Sequence, residues 1–150
     1  MRKNPKGFSL IELLIVVAII GIIAAIAIPS LIRARAAANE SSAIGTLRTF
    51  GSSNATYLSR NNNKPGDLST LAANNYLDEA FKTSNKRNSY IFADTGATTD
   101  ARSWGFTATP DTGGFISGDR SFTISYDYVI RYSDGTTAPA ITLGTVLGGS

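Results

Sequence analysis

The chain has 150 residues and contains neither cysteine nor histidine. Disulfides, thiolate or imidazole catalysis, and zinc sites built on those ligands are therefore excluded. Its net charge of +3 comes from Arg2, Lys3 and Lys6, because the rest of the chain carries 11 basic and 11 acidic residues. The charge balance thus predicts no specific nucleic-acid surface.

The first predicted element is a long apolar helix. Phe8 to Ile28 contains one charge, Glu12, and as a helix it spans about 31 Å, close to the hydrocarbon thickness of a bilayer. Basic residues precede this run, and such flanks stay on the cytoplasmic side. The N-terminus is therefore expected inside, and the chain from Pro29 onward outside.

Two ordinary interpretations of this segment fall short. A secretory signal peptide has a shorter apolar region and a small-residue cleavage site, whereas "AAIAIPS" places a bulky isoleucine and a proline at the junction. A plain membrane anchor explains the length but leaves Glu12 unexplained. An acidic side chain in a bilayer costs about 2.5–3.5 kcal/mol at its centre and indicates a function with a specific partner.

The same segment resembles the N-terminus of a type IV prepilin. The features that it shares with that family are a short basic leader, Gly7 followed by Phe8, the sequence SLIE ending at Glu12, an internal glycine at Gly21 and a proline at Pro29.

The resemblance implies a set of processing and assembly roles. A membrane-embedded prepilin peptidase and N-methyltransferase would cut between Gly7 and Phe8 and methylate Phe8. Glu12 would be the assembly residue, which pairs with the new amine of a neighbouring subunit. An ammonium and a carboxylate attract strongly at low dielectric, and a subunit out of register would leave a charge unpaired.

Gly21 and Pro29 interrupt the helix pattern, and two interpretations stay open. Glycine is common in membrane helices and allows close approach of neighbours. The resemblance implies instead that the stretch between Gly21 and Pro29 unwinds on assembly and lets the filament extend.

After Pro29 the pattern becomes amphipathic, so one helix is predicted from about Ser9 to about Leu58. Arg33, Arg35 and Glu40 fall where this helix leaves the membrane. They fit interfacial anchoring, subunit contacts or a solvated face. The expected inward positions are Ile44, Leu47, Phe50 or Gly51, and Tyr57 or Leu58.

The remaining elements form a head. "RNNNKPGD" predicts a loop over 60–67, and 68–83 reads as one short helix whose inward candidates are Leu68, Leu71, Ala72, Tyr76 and Phe81. Period-two patterns predict strands at 89–95, 103–109 and 120–132, the last one bent or divided, and an edge strand at 140–147. Alternating aromatic residues are expected in the core: Trp104, Phe106, Phe115, Phe122, Tyr126, Tyr128 and Tyr132.

Two further patterns are interpreted as ordinary turn chemistry and solvated charge. The DTG triplets at 94–96 and 111–113 resemble aspartic-protease motifs, but they lie too close together to build two lobes. The aspartates of the second half lack the spacing of an EF-type calcium loop. No metal site, no cofactor and no enzymatic activity are predicted.

The predicted fold class is α+β, a pilin fold in which a long N-terminal helix packs against a small antiparallel sheet. The predicted segments are a prepilin leader peptide at 1–7, a transmembrane and filament-core helix at 8–29, an amphipathic helix at 30–58 and a globular head at 59–150. The head contains the short helix, the strands and a Gly/Thr-rich tail.

The predicted function is that of a type IV pilus subunit, a fimbrial protein of a surface filament used in adhesion, motility or DNA uptake. The alternative is a pseudopilin of a type II secretion system, active in protein secretion. The expected partners are other copies of the chain, the inner membrane, the prepilin peptidase, and the pilus assembly ATPase and platform proteins. The precursor is expected in the bacterial inner membrane with a periplasmic head, and the mature subunit in an extracellular pilus.

Overall fold

The computed structural model describes residues 7–95, 100–113, 118–140 and 144–148. Residues 1–6 of the predicted leader therefore lie outside the described residues. The chain divides into two units, Met1–Arg35 and Ala36–Ser150. The first unit contains the apolar part of helix α1, and the second contains the rest of α1 and the head.

Helix α1 runs over Leu10–Arg60, within two residues of the prediction at each end. Its most apolar stretch of 18 residues has a mean hydropathy of 3.1, and none of these residues is buried. Among the described helices, α1 is the one long and apolar enough to cross a membrane. The helix ends where Asn62 and Asn63 adopt positive φ, a conformation that asparagine tolerates better than most residues.

The second half of α1 buries one face at helical spacing. Leu47 and Phe50 are at most 1 % exposed, while the predicted Ile44, Tyr57 and Leu58 are partly buried against the same core. The face is completed by residues that are small or polar, namely Glu40, Ala43, Gly51 and Asn54. This stripe packs into the head as the amphipathic pattern predicts.

The single helix predicted over 68–83 is wrong. The structure has two short helices, α2 at Leu68–Ala73 and α3 at Ala80–Thr83. Asn74 ends α2 because its side-chain amide donates to the Thr70 carbonyl, and Asn75 follows at φ 60°. Leu68, Leu71 and Ala72 are buried as predicted, and Tyr76 and Phe81 are half-buried.

The head contains one six-stranded antiparallel sheet in which each strand pairs with the next along the chain. The strand predicted over 120–132 divides at a turn into β4 and β5. Residues 141–143 of the predicted edge strand lie outside the described residues. The strands are β1 Lys86–Arg87, β2 Tyr90–Asp94, β3 Gly105–Pro110, β4 Arg120–Ser125, β5 Ile130–Asp134 and β6 Thr145–Val146.

The core is rich in aromatic rings, as predicted, but the set differs. Phe50 from α1 meets Phe81, Phe92 and Phe106 edge-on, with ring centroids 5.0–5.5 Å apart. Trp104, Phe106 and Phe122 are buried and Tyr132 is partly buried. Tyr126 and Tyr128, which were expected inside, are exposed because they lie in the turn between β4 and β5. Phe115 lies outside the described residues.

Candidate assembly site at the start of the apolar helix

The carboxylate of Glu12 folds back onto the first turn of α1. Its Oε2 accepts a hydrogen bond of 2.8 Å from the backbone N–H of Ser9, while the Ser9 carbonyl accepts one of 3.2 Å from Leu13 N–H. Ser9 precedes the helix, so Ser9 and Glu12 hold the two ends of an S-x-x-E capping pattern. The acid therefore caps the helix and also complements its dipole.

This capping role is one that the sequence interpretation missed, although its signal was present in the letters SLIE. The cap engages one oxygen of Glu12, and Oε1 accepts no hydrogen bond from any residue that the structure describes. A carboxylate oxygen has room for further donors. The site is therefore compatible with an external cation while the helix start stays capped.

The apolar side chains around this site are all exposed. Phe8, which precedes the helix, is 87 % exposed, and the large apolar residues from Leu10 to Ile32 are between 44 % and 76 % exposed. An apolar surface of this extent requires a cover, either lipid or another protein surface.

The helix continues through both interruptions predicted to matter. Pro29 lies inside α1, where it has no N–H to donate, and a Cβ added at Gly21 would meet no other atom within 4 Å. Both positions are thus places where the helix is locally less stable, since glycine costs about 1 kcal/mol relative to alanine. Unwinding between them stays a prediction.

A second charged site joins α1 to the sheet of the head. Glu40, expected at an interface or in solvent, is instead buried at 8 % exposure. Its Oε2 accepts hydrogen bonds of 2.6 and 3.0 Å from Nη2 and Nε of Arg120, and its Oε1 accepts one of 3.0 Å from Asp119 N–H. The carboxylate therefore fixes the position of β4 on the helix.

Neighbouring groups complete this attachment. Tyr90 Oη donates a 2.8 Å hydrogen bond to the Arg120 carbonyl, and burial, together with the negative charge of Glu40, raises the pKa of Tyr90. The hydrogen bonds to Glu40 raise the pKa of Arg120. Gly118 lies so close that a Cβ there would be 2.4 Å from Glu40 Cγ. The cluster is closely packed and needs no ligand to explain it.

The turn between β4 and β5 is held by a third charged group. Asp127 accepts hydrogen bonds from Ser125 Oγ at 2.7 Å and from Arg131 Nη2 at 2.5 Å. These bonds, with that of Arg131 the strongest, lower the pKa of Asp127 to about 2. The neighbouring Tyr128 adopts φ 60°, an unusual conformation for a bulky residue.

The second DTG triplet serves as a turn, in agreement with its interpretation. Asp111 Oδ1 accepts a 3.2 Å hydrogen bond from Gly113 N–H, and its other oxygen pairs with Lys86 at 3.0 Å. Gly96 of the first triplet lies outside the described residues. Within the described parts of the chain, no group of three or more acidic side chains is arranged to hold a metal ion.

Comparison with known proteins first defines the class of the N-terminal segment. A family profile described as the prokaryotic N-terminal methylation motif matches residues 2–28, which contain Gly7, Phe8 and Glu12. No solved structure matches the chain.

Similarity to curated proteins then specifies this class further. The chain is 63 % identical over 38 residues to the type IV wide pilus major component PilA4 of Thermus thermophilus, covering 25 % of this chain and 29 % of that protein. It is 48 % identical over 60 residues to the type IV major pilin protein PilA of Myxococcus xanthus, covering 39 % and 27 %. It is 76 % identical over 29 residues to the type IV major fimbrial protein FimA of Dichelobacter nodosus, covering 19 % of each.

These matches span less than a third of each of these relatives. They confirm the resemblance to type IV pilins, and the long helix with an antiparallel sheet confirms the predicted α+β fold. The matched relatives are named as pilus or fimbrial components and not as enzymes, which agrees with the sequence interpretation.

Proposed function

We propose that this chain is a structural subunit of a type IV pilus. The observation that carries the proposal is the start of α1, where Glu12 caps an exposed apolar helix within a matched N-terminal methylation motif. The similarity to three pilus and fimbrial proteins supports the same conclusion. No catalytic group is required for this role.

The precursor inserts α1 into the inner membrane, with the basic leader in the cytoplasm and the head in the periplasm. Residues 1–7 form the leader, which the prepilin peptidase removes by cutting after Gly7. The same enzyme methylates the new terminal residue, Phe8. Residues 8–29 then act as the membrane and filament-core helix, 30–58 as its amphipathic continuation, and 59–150 as the head.

Assembly follows from charge neutralisation. Removal of the leader creates an ammonium group at Phe8, and this group pairs with Glu12 of a neighbouring subunit. Glu12 Oε1, which is free of hydrogen bonds to described residues, is available for that contact. As subunits leave the bilayer, apolar helix faces cover one another in place of lipid. An assembly ATPase and its platform proteins drive this transfer.

The segment between Gly21 and Pro29 gives the filament its extensibility by unwinding during assembly. The missing N–H of Pro29 and the conformational freedom of Gly21 both lower the cost of losing the helix there.

A pseudopilin of a type II secretion system is the second candidate, because it would share all the N-terminal chemistry. The similar proteins are named as pilus or fimbrial components, which favours the pilus. Electron microscopy of cells with and without the gene separates the two, since only a pilus subunit yields long surface fibres that vanish with the gene.

The direct test is substitution of the acid. Glu12→Ala is expected to leave the precursor membrane-inserted, cleaved at Phe8 and methylated, while abolishing fibres in electron micrographs. Glu79→Ala, which removes an acid that is 87 % exposed in the head, is the matched control and should leave fibres intact. Normal fibres from the Glu12→Ala chain would contradict the proposal.

The processing site is tested by Gly7→Val. This substitution should prevent removal of the leader, so the decrease in mass that accompanies removal should not be seen.

A further inference from the structure

The charged residues of the first unit mark the two ends of an uncharged helix. Between Glu12 and Arg33 no ionisable side chain occurs, and the stretch from Leu13 to Ile32 spans about 30 Å as a helix. This length matches the hydrocarbon thickness of a bilayer. The charges at its ends therefore coincide with the two membrane–water boundaries.

Arg33 and Arg35 are available to bind groups outside the chain. Both are exposed on α1, and neither makes a hydrogen bond or ion pair with another residue in the described part of the structure. An arginine at the membrane surface binds phosphate oxygens with its guanidinium group, while its aliphatic stem lies along apolar surface.

We propose that Arg33 and Arg35 bind the anionic phospholipid headgroups of the leaflet on the head side and thereby set the depth of α1 in the membrane. The inference rests on the proposed membrane-inserted precursor. With these arginines at the phosphate level, Glu12 lies at the opposite hydrocarbon boundary.

This placement determines the stage of assembly at which the charge of Glu12 becomes energetically unfavourable. At the boundary, water reaches Glu12 Oε1, which has no hydrogen-bond donor among the described residues. The acid is therefore tolerated in the resident precursor, and it loses its hydration only when the subunit is drawn out of the bilayer. The arginine anchor keeps the acid hydrated until a partner amine is present.

The absence of cysteine from the chain allows the depth to be measured with single labels. Leu13→Cys and Leu31→Cys chains, each carrying a spin label, are reconstituted at full length into vesicles containing phosphatidylglycerol. Label depth is read from its relative accessibility to oxygen and to a water-soluble nickel chelate. Both labels are expected close to their respective hydrocarbon boundaries.

Removal of the two arginines should move the helix along the membrane normal, so that the depths of the two labels change in opposite senses. In Arg33→Gln/Arg35→Gln chains, the attraction of Glu12 and the leader for water draws the helix towards the N-terminal side. The Leu31 label then moves deeper and the Leu13 label shallower, by about one helical turn, ~5 Å. Arg48→Gln/Arg60→Gln removes two exposed charges from the head part of α1 and should shift neither label.

Four results would support or overturn the inference. Opposite shifts confined to the Arg33/Arg35 variant support the inference. Unchanged depths in a chain that stays inserted, or a Leu13 label at the bilayer centre in the unaltered chain, overturn the inference and leave the proposed function standing. A chain that carbonate extracts from the vesicles would overturn both.

Discussion

Helix α1 contains two acidic side chains, Glu12 and Glu40, and they use their carboxylates differently. Glu12 caps the helix start and leaves one oxygen without a donor among the described residues, whereas Glu40 uses both oxygens inside the head. Sequence analysis could single out Glu12, because one acid in an apolar run is conspicuous. It could not find the role of Glu40, since Arg120 lies 80 positions away.

Loss of the Glu40 carboxylate should destabilise the head. Glu40→Ala leaves the Asp119 N–H without its acceptor and Arg120 without its partner. Because Arg120 is partly exposed, we expect the free energy of unfolding to fall by about 2 kcal/mol. Urea unfolding followed by the fluorescence of the single tryptophan, Trp104, measures it. Glu79→Ala, which breaks an exposed pair, should change stability by less than about 0.5 kcal/mol. Equal losses in both variants would show that the Glu40 contacts do not stabilise the head.

Two glycines provide a matched test of packing, because Gly118 lies against Glu40 and Gly45 has no such neighbour. A Cβ at Gly118 would lie 2.3 Å from Tyr90 Oη, so Gly118→Ala should destabilise the head by about 1–3 kcal/mol. Gly45 lies on the exposed side of α1, and a Cβ there would meet nothing within 4 Å. Because alanine favours the helix more than glycine does, Gly45→Ala should raise the free energy of unfolding by about 0.5–1 kcal/mol. The same urea unfolding applies, and a tolerated Gly118→Ala would show that the cluster is loosely packed.

Among the elements, periodicity predicts the long ones better than the short ones. The bounds of α1 and the alternation in β2 and β3 follow from local pattern, because the first half of α1 is continuously apolar and its second half and both strands bury a regular face. The break between α2 and α3 depends on Asn74, whose side chain competes for a helix carbonyl, and on Asn75, whose backbone adopts a positive φ. Strand β1 contains two residues, Lys86 and Arg87, and forms only through pairing with β2.

The turn between β4 and β5 should give the head an acid-sensitive component. The pKa of Asp127 is lowered from 3.8 to about 2, so its pairing with Arg131 stabilises the fold fully above pH 4 and is lost as the pH falls through 2. The melting temperature of Asp127→Asn should lie below that of the unaltered chain at pH 7, and the difference should narrow between pH 4 and pH 2. A difference independent of pH would contradict this assignment.

For the whole molecule, the sequence predicted an α+β chain with a membrane-length helix, and the structure confirms it. The neighbour-to-neighbour order of the six strands was beyond sequence pattern, because period-two alternation reports which face of a strand is buried and not which strand lies beside it. The assembly role proposed for Glu12 likewise depends on contacts between chains, which the fold of one chain does not contain.

The most direct measurement is a cryo-electron microscopic reconstruction of the fibre at side-chain resolution. We predict that the methylated nitrogen of Phe8 lies within about 4 Å of the Glu12 carboxylate of a neighbouring subunit, the usual limit for an ion pair. A well-resolved fibre in which Glu12 of every subunit is distant from any cationic group would contradict the account.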